Sequence, residues 1–259
     1  MAERLSFYVP RRSFLHRLNP LTKLALAFAL ILVAFISPYS WTAVVCAVLV
    51  IFPLAVIGGV YREYLGTVLR LVVPSVGFIF VMQSLFVPGG ETVLFRFWVL
   101  RVTVESVQQA FLTAARIFNM ISAFILLLLT THPSELMTDL TQRGMPGNIA
   151  YVFISTLQIL PQMQAKARTI IAAQRSRGLE TEGTLIRRVR ALVPLVGPLV
   201  FGSLVEVEER AIAIEARGFT SPLKKTSLHE VADTPLDRAL RWGLLGPVLL
   251  TVAGRGLVR

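Results

Sequence analysis

Long apolar runs with few charged residues alternate with short polar segments along this chain. Five runs stand out: Leu24–Ile36, Trp41–Ile57, Leu71–Val87, Val104–Thr131 and Leu236–Ala253. At about 1.5 Å of rise per residue, the seventeen residues of Trp41–Ile57 span roughly 26 Å, close to the ~30 Å hydrocarbon core of a bilayer. The pattern therefore predicts an all-α integral membrane protein with about five transmembrane helices.

The fourth run differs from the others because it carries Glu105 near its start and Arg116 close to its middle. An arginine deep in hydrocarbon costs about 2.5–3.5 kcal/mol on insertion scales, so Arg116 should face protein or water. We expect a helix that enters the membrane obliquely and packs on its neighbours. A functional role for Arg116 is the alternative.

The segment after the fourth run is half apolar and half charged, and it lacks the uniform hydropathy of a span. Residues 132–219 are predicted to form a helical block at the membrane surface, with prolines at 161, 194 and 198 separating its helices. We thus expect four spans in residues 1–131, this block, a polar linker over 220–235 and a last span in 236–259.

The composition supports a membrane protein and limits the other classes. The chain is 54% hydrophobic and only 16% charged, with a net charge of +11. Nucleic-acid binding is disfavoured because no basic patch is interleaved with aromatic residues. Basic residues concentrate in the N-terminal segment, in a loop predicted over 58–70 and in the helical block. The positive-inside rule therefore places these parts in the cytoplasm and the chain in the cell membrane as a multi-pass protein.

One short motif occurs twice in the helical block, about forty positions apart. Its copies are Ser176-Arg177-Gly178, followed by Leu179, and Ala216-Arg217-Gly218, followed by Phe219. Each glycine stands where a helix needs a left-handed residue to end, and the apolar residue after it can fold back as in a Schellman cap. A single copy is typical of any capped helix. The pair predicts two equivalent arginine-bearing helix ends made for two equivalent binding grooves.

The sequence lacks the usual motifs of catalysis and energy conversion. It contains no Gly-Lys pair and hence no Walker phosphate loop, and it has no Gly-x-Gly-x-x-Gly, His-Glu-x-x-His or Gly-x-Ser-x-Gly. The single cysteine, Cys46, lies in an apolar run, and the three histidines are far apart. We therefore expect no catalytic residue, cofactor or metal site, and a non-enzymatic subunit that passes force from a soluble motor to a membrane partner.

These features resemble the transmembrane coupling (T) component of energy-coupling factor vitamin and metal-ion transporters, the EcfT/CbiQ-like family. The two motifs are similar to its paired Ala-Arg-Gly signatures. Leu18–Lys23, which reads Leu-Asn-Pro-Leu-Thr-Lys, is similar to the Asp-Pro-x-x-Lys segment before its first span, and Leu129–Leu136 also fits. Two departures are Asn19, where Asp is common, and serine at position 176 in place of alanine.

The resemblance implies a cytoplasmic coupling domain whose two long helices cross. Ser176, Arg177 and Gly178 would contact one ABC-type ATPase, and Ala216, Arg217 and Gly218 a second. ATP-driven closure of the ATPases would pull the helices together and tilt a separate substrate-binding (S) subunit in the bilayer. Three alternatives remain open: a permease of a conventional ABC transporter, an integral-membrane lipid enzyme and a structural scaffold.

Overall fold

A computed structural model of the chain describes residues 8–11, 13–37, 39, 41–86, 92–97, 100–178, 185–221 and 231–257. The described residues form two compact units. One, here called the membrane unit, comprises those within Ser6–Gly144 and Glu230–Arg259; the other, the paired-helix unit, comprises those within Met145–His229. Leu179, which follows the first motif, and residues 222–230 of the predicted linker lie outside the described residues.

The membrane unit is helical apart from one pair of strands. Its elements are α1 (Phe14–Arg17), α2 (Pro20–Ile36), α3 (Thr42–Ile57), α4 (Tyr61–Phe86), β1 (Val93–Phe97), β2 (Leu100–Thr103), α5 (Val104–Thr130), α6 (Pro133–Gln142) and α9 (Pro235–Leu257). Among the described residues, α4 and α5 are long and apolar enough to cross a membrane, and α2 and α3 are apolar but shorter. The predicted all-α membrane class is confirmed.

Local sequence signals explain where these helices begin. The Asn19 side chain accepts a hydrogen bond from the Leu21 N–H at 2.9 Å, and Pro20 occupies the first helical position of α2, where no N–H is needed. Thr103 and Ser106 form a reciprocal capping box at the start of α5. The caps therefore fix the entry points of two long helices that pack against each other.

Two apolar helices contain a wide π-helical turn directly before a proline. In α3 the π-helical residues are Ala47–Ile51 and the proline is Pro53; in α4 they are Val68–Val72 and Pro74. Proline lacks the N–H that an α-helix interior requires and clashes with the preceding turn. In a π-helical turn each N–H bonds to the carbonyl five residues earlier, which makes room for the proline ring. Each helix therefore continues without a break.

The segment from 58 to 103 differs from its prediction in two places. Helix α4 begins at Tyr61, so the loop predicted over 58–70 is wrong: only a short turn there, with Gly59 at φ 67°, separates α3 from α4. Charged residues in the first turns of a helix resemble a polar loop in sequence, which is why the pattern placed the start of α4 too late. Strands β1 and β2 pair antiparallel, with Val93 opposite Thr103 and Phe97 opposite Leu100. The sequence gives no hydrophobic alternation long enough to predict them.

Many small side chains lie in the interior of the membrane unit beside larger core residues such as Leu15, Ile51 and Leu126, and other large apolar side chains are exposed on its outside. Its buried alanines are Ala27, Ala29, Ala34, Ala43, Ala47, Ala55, Ala110, Ala114 and Ala123. Small residues allow transmembrane helices to approach closely, and large exposed apolar residues suit contact with lipid. Asn119 is fully buried and donates from Nδ2 to the Leu30 carbonyl at 3.0 Å, which joins α5 to α2.

The position of Arg116 agrees with a helix that packs on its neighbours. Its guanidinium donates from Nη2 to the carbonyl of Ser37 at 3.4 Å, at the end of α2. A cation is favoured at the C-terminus of a helix, where carbonyls are unsatisfied. Arg116 thus lies level with the turn between α2 and α3, and α5 extends beyond this level by the twelve residues Val104–Ala115, about 18 Å.

The paired-helix unit contains two long helices, α7 (Gly147–Ser176, 30 residues) and α8 (Leu185–Ala216, 32 residues). The prediction that prolines separate shorter helices here is wrong, because α7 continues through Pro161 and α8 through Pro194 and Pro198. The compact units divide at Gly144, since α6 packs with α2 in the membrane unit. The functional limits of the predicted coupling domain stay a prediction.

Candidate functional site: two arginine-bearing helix ends

The first candidate contact is the C-terminal end of α7, here called the first tip (Ser176, Arg177 and Gly178). Arg177 ends the helix, and its N–H donates to the Gln174 carbonyl at 3.0 Å. Gly178 has φ 88° and donates its N–H to the Arg175 carbonyl at 3.0 Å. These bonds end the helix tightly, and the left-handed glycine turns the chain away immediately after the arginine.

The second candidate contact is the C-terminal end of α8, here called the second tip (Ala216, Arg217 and Gly218). Gly218 has φ 74° and donates to the Glu215 carbonyl at 2.8 Å, while the Phe219 N–H donates to the Ile214 carbonyl at 3.1 Å. This pair of bonds is a complete Schellman motif. The predicted cap is therefore confirmed at the second tip; at the first, the residue that would complete it is outside the described part.

Both tip arginines are exposed on the surface of the paired-helix unit. Each follows directly on the last helical turn, where the free carbonyls make a cation favourable. A guanidinium presents five N–H donors in a planar fork, which matches a carboxylate bidentately. The two tips thus offer the same charged group in the same helix-end setting.

The two long helices run antiparallel, as two contacts between them show. Lys166 of α7 forms an ion pair with Glu206 of α8, and the ring of Tyr151 lies 5.1 Å from that of Phe219, centroid to centroid. Residue numbers thus rise along α7 as they fall along α8. The two tips consequently lie on opposite sides of the Lys166–Glu206 contact.

The ion pair also divides the two helices symmetrically. Lys166 precedes Arg177 by eleven residues, and Glu206 precedes Arg217 by eleven residues. Each arm is then about 16 Å long, and two arms that point in opposite directions separate the tips by roughly 33 Å at most. The repeat in the sequence therefore corresponds to two arms of equal length on either side of the Lys166–Glu206 contact.

The paired-helix unit has almost no core of its own. Among the described side chains of α8, at positions 193–216, none is buried, and on α7 only Ala150 and Ser155 are. Large apolar side chains are instead exposed on both helices, among them Val152, Phe153, Leu157, Leu160, Val196, Phe201, Leu204 and Val207. Exposed apolar area of this extent is typical of surfaces that contact a partner or a membrane.

A buried polar cluster in the membrane unit was not predicted from the sequence. Asn19 donates its backbone N–H to Asp237 Oδ1 at 3.0 Å and its Nδ2 to Asp139 Oδ1 at 3.2 Å. All three side chains are almost fully buried. Nearby, Lys23 donates from Nζ to the Thr130 carbonyl at the end of α5, at 2.9 Å. The Leu18–Lys23 segment thus serves as an anchor for α5, α6 and α9.

Within the described residues, no group of three or more histidine, cysteine, aspartate or glutamate side chains is placed to hold a metal ion. The acidic residues that do cluster, Asp139 and Asp237, hydrogen-bond to Asn19 and to Arg143 or Thr234. Their arrangement is that of a structural cluster, because three of the four carboxylate oxygens accept from protein donors; Asp139 Oδ2 has no partner within the described residues.

Comparisons with known proteins cover both units. Residues 11–228 match the CbiQ family, described as cobalt transport protein. The chain is 31% identical over 259 residues to the energy-coupling factor transporter transmembrane protein EcfT of Exiguobacterium sibiricum, covering 96% of this chain and 97% of that protein. It is 31% identical to EcfT of Brevibacillus brevis, with 95% of each covered, and 29% identical to that of Leuconostoc gelidum, with 94% and 93% covered.

Proposed function

This chain belongs to the CbiQ family of transport proteins, and we propose that it is the transmembrane coupling (T) subunit of an energy-coupling factor transporter. The family predicted from the doubled motif is confirmed by these matches. The observation that carries the mechanism is the pair of exposed arginine-bearing tips at the two ends of one antiparallel helix pair.

Each tip binds a groove on one of two ABC-type ATPase subunits. Arg177 and Arg217 pair bidentately with a carboxylate there, a geometry that lysine does not reproduce. The left-handed glycine after each arginine lets the chain turn away, so that the helix end enters the groove without the following segment. A tip separation of roughly 33 Å at most suits two binding grooves on two subunits better than a single shared groove.

The exposed apolar sides of α7 and α8 contact a substrate-binding S subunit and the bilayer. ATP-driven closure of the ATPases pulls the two tips together, and the movement of the helices tilts the S subunit to release a vitamin or a metal ion. The chain itself is non-catalytic and needs no cofactor, since ATP is bound by its partners. Positive-inside bias supports a cell-membrane protein whose N-terminus and paired-helix unit lie in the cytoplasm.

Charge reversal at the tips tests this proposal. We expect Arg177→Glu or Arg217→Glu to weaken co-purification of the ATPases by about thirtyfold or more, because reversing a docked charge costs about 2 kcal/mol or more. The double variant should retain no ATPase and transport nothing. The measurement is the ATPase-to-membrane-subunit ratio in the purified complex, together with uptake in vesicles.

The matched control is Arg168→Glu, which makes the same charge change at an exposed position on α7 away from the tip. It should leave both the ATPase-to-membrane-subunit ratio and the uptake in vesicles unchanged. A double tip variant that still co-purifies with both ATPases would refute the docking role. A stable, transporting complex that lacks a further small membrane subunit would favour a conventional ABC permease instead.

A further inference from the structure

The start of α9 carries a charged cavity that the coupling role does not explain. It lies in the membrane unit, has a volume of about 430 Å³ and is lined by Arg143, Asp233, Arg238, Arg241, Trp242 and Leu245. That volume falls within the range of sites that bind small ligands. The lining contains three guanidinium groups and one carboxylate, so the cavity presents a surplus of positive charge.

One carboxylate is shared by the three arginines. Asp233 accepts from Arg241 Nη2 at 2.7 and 2.9 Å, lies 3.2 Å from Arg143 Nη2 and is 3.5 Å from Arg238 Nε. Burial raises the pKa of the Asp233 carboxyl, but the hydrogen bond and charge of Arg241, with the charges of the other two arginines, hold that pKa below its usual value. The carboxylate therefore stays ionised and is saturated with donors.

Several arginine donors remain for another anion. Three guanidiniums carry fifteen N–H groups, whereas the two carboxylates that they contact, Asp233 and Asp139, offer about eight acceptor sites. Arg241 Nη1 is buried and has no hydrogen-bond partner within the described part of the chain. Asp237 is paired with Asn19 and Thr234, whereas Asp139 accepts from Asn19 and Arg143 through Oδ1 only, and its Oδ2 has no partner within the described residues. The most available donors are therefore those of Arg238, whose side chain is 67% exposed and whose ion pair with Asp233 is 3.5 Å long.

The cavity continues into an apolar surface along one face of α9. Arg238, Trp242, Leu245 and Leu249 follow one another at the i, i+4, i+7 and i+11 positions of a helix. Trp242 is 75% exposed, and Leu245 and Leu249 are exposed below it. Tryptophan is enriched where a membrane protein meets lipid headgroups. Along this face, an arginine is followed by a tryptophan ring and then by leucines. The same order is found in a phospholipid, where the phosphate is followed by the glycerol and the acyl chains.

We propose that this cavity binds the phosphate group of an anionic phospholipid, with Arg238, Arg241 and Arg143 holding the phosphate and Trp242 and Leu245 contacting the glycerol and acyl region. Clustered arginines beside an apolar helix face are suited to such headgroups, because anionic lipids attract basic groups at the membrane surface. A free phosphate ion would satisfy the arginines equally, but it would leave the apolar face of α9 without a partner. The site is separate from the two tips and makes no use of the ATPases.

The test measures lipid binding to the full chain in its purified, delipidated transporter complex by native mass spectrometry. Phosphatidylglycerol should bind more tightly than phosphatidylcholine. Arg238→Gln should weaken phosphatidylglycerol binding about fivefold, the usual effect of one basic residue at a membrane surface, and leave phosphatidylcholine unchanged. Arg238 is 67% exposed with only a 3.5 Å ion pair, so its replacement should not disturb folding.

Two further variants make the result decisive. Arg255→Gln removes the same charge at an exposed position near the other end of α9 and should leave lipid binding unchanged. Trp242→Ala should weaken phosphatidylglycerol binding while leaving any binding of inorganic phosphate as it is. Equal affinity for the two lipids, equal effects of Arg238→Gln and Arg255→Gln, or inorganic phosphate binding as tightly as phosphatidylglycerol would overturn the proposal.

Discussion

At the scale of single residues, Asn19 shows how one side chain ties distant parts of the membrane unit together. Its oxygen caps α2, its amide group donates to Asp139 of α6, and its backbone N–H donates to Asp237 of α9. The family resemblance has Asp common at this position. An aspartate here would keep the cap but would place a second carboxylate against Asp139, without a donor between them.

The first residue-scale prediction follows from this hydrogen bond, in which the Asn19 amide is the donor and the Asp139 carboxylate the acceptor. Asn19→Asp should lower the free energy of unfolding by about 1–3 kcal/mol, because it removes a buried donor and opposes two carboxylates. Adding Asp139→Asn should recover a large part of the loss, since the amide and the carboxylate have then exchanged places. The measurement is the midpoint of thermal unfolding of the purified chain in detergent for both single variants and the double variant.

A double-mutant cycle isolates the Asn19–Asp139 contact from other effects. Asp139→Asn alone also weakens the 3.2 Å contact to Arg143, so it should be destabilising by itself. The two changes together should cost less than the sum of the two alone by about 1 kcal/mol or more. Strictly additive costs would show that the hydrogen bond between these side chains contributes nothing to stability.

At the scale of elements, the end of a long helix determines where its arginine points. Gly218 adopts φ 74°, a conformation that side chains with a Cβ rarely adopt. Gly218→Ala should therefore destabilise the cap by about 1 kcal/mol and speed hydrogen exchange of the Phe219 amide, which donates to Ile214. The same change should weaken ATPase co-purification without removing the charge of Arg217.

The matched control is Gly202→Ala in the same helix. Gly202 is helical, and a Cβ there meets nothing within 4 Å. Alanine is the better helix former by about 0.5–1 kcal/mol, so this change should stabilise α8 slightly. If both glycine variants behave alike in hydrogen exchange and in co-purification, the cap has no special part in presenting Arg217.

The sequence predicted most elements because apolar length and helix caps are local signals. The described residues of the five apolar runs lie almost entirely in helices, and α7 and α8 end just before their glycines, although α9 is not among the described helices apolar enough to span a membrane. Local rules failed where tertiary context decides: Pro161, Pro194 and Pro198 lie inside continuous helices, and α4 begins ten residues before the predicted span. The contacts of Asn19 with Asp139 and Asp237 join residues far apart in sequence, which no local pattern shows.

At the scale of the whole molecule, the two units differ in how they are stabilised. The membrane unit packs small side chains in its interior, whereas the described part of α8 buries none of its side chains. A helix pair with so little core needs surrounding partners or lipid to stay ordered. The small core of the paired-helix unit is consistent with its proposed role of moving together with its partner subunits.

The proposed mechanism requires the two tips to change their separation during the ATP cycle. Spin labels at Ala173→Cys and Ala213→Cys lie four residues before each tip arginine, at exposed positions outside the proposed contacts. Both positions are seven residues beyond the Lys166–Glu206 contact, so the labelled backbones should be on the order of 20 Å apart. Replacing Cys46 with alanine leaves these as the only cysteines of this chain, and the partner subunits are used in cysteine-free form.

The most direct test is therefore the distance between these labels, measured by pulsed electron paramagnetic resonance in the full transporter complex. With a non-hydrolysable ATP analogue, the distribution should move to shorter distances than without nucleotide, and the Arg177→Glu/Arg217→Glu variant should not respond. Identical distributions with and without nucleotide, in a labelled complex that still transports its substrate, would contradict the coupling mechanism.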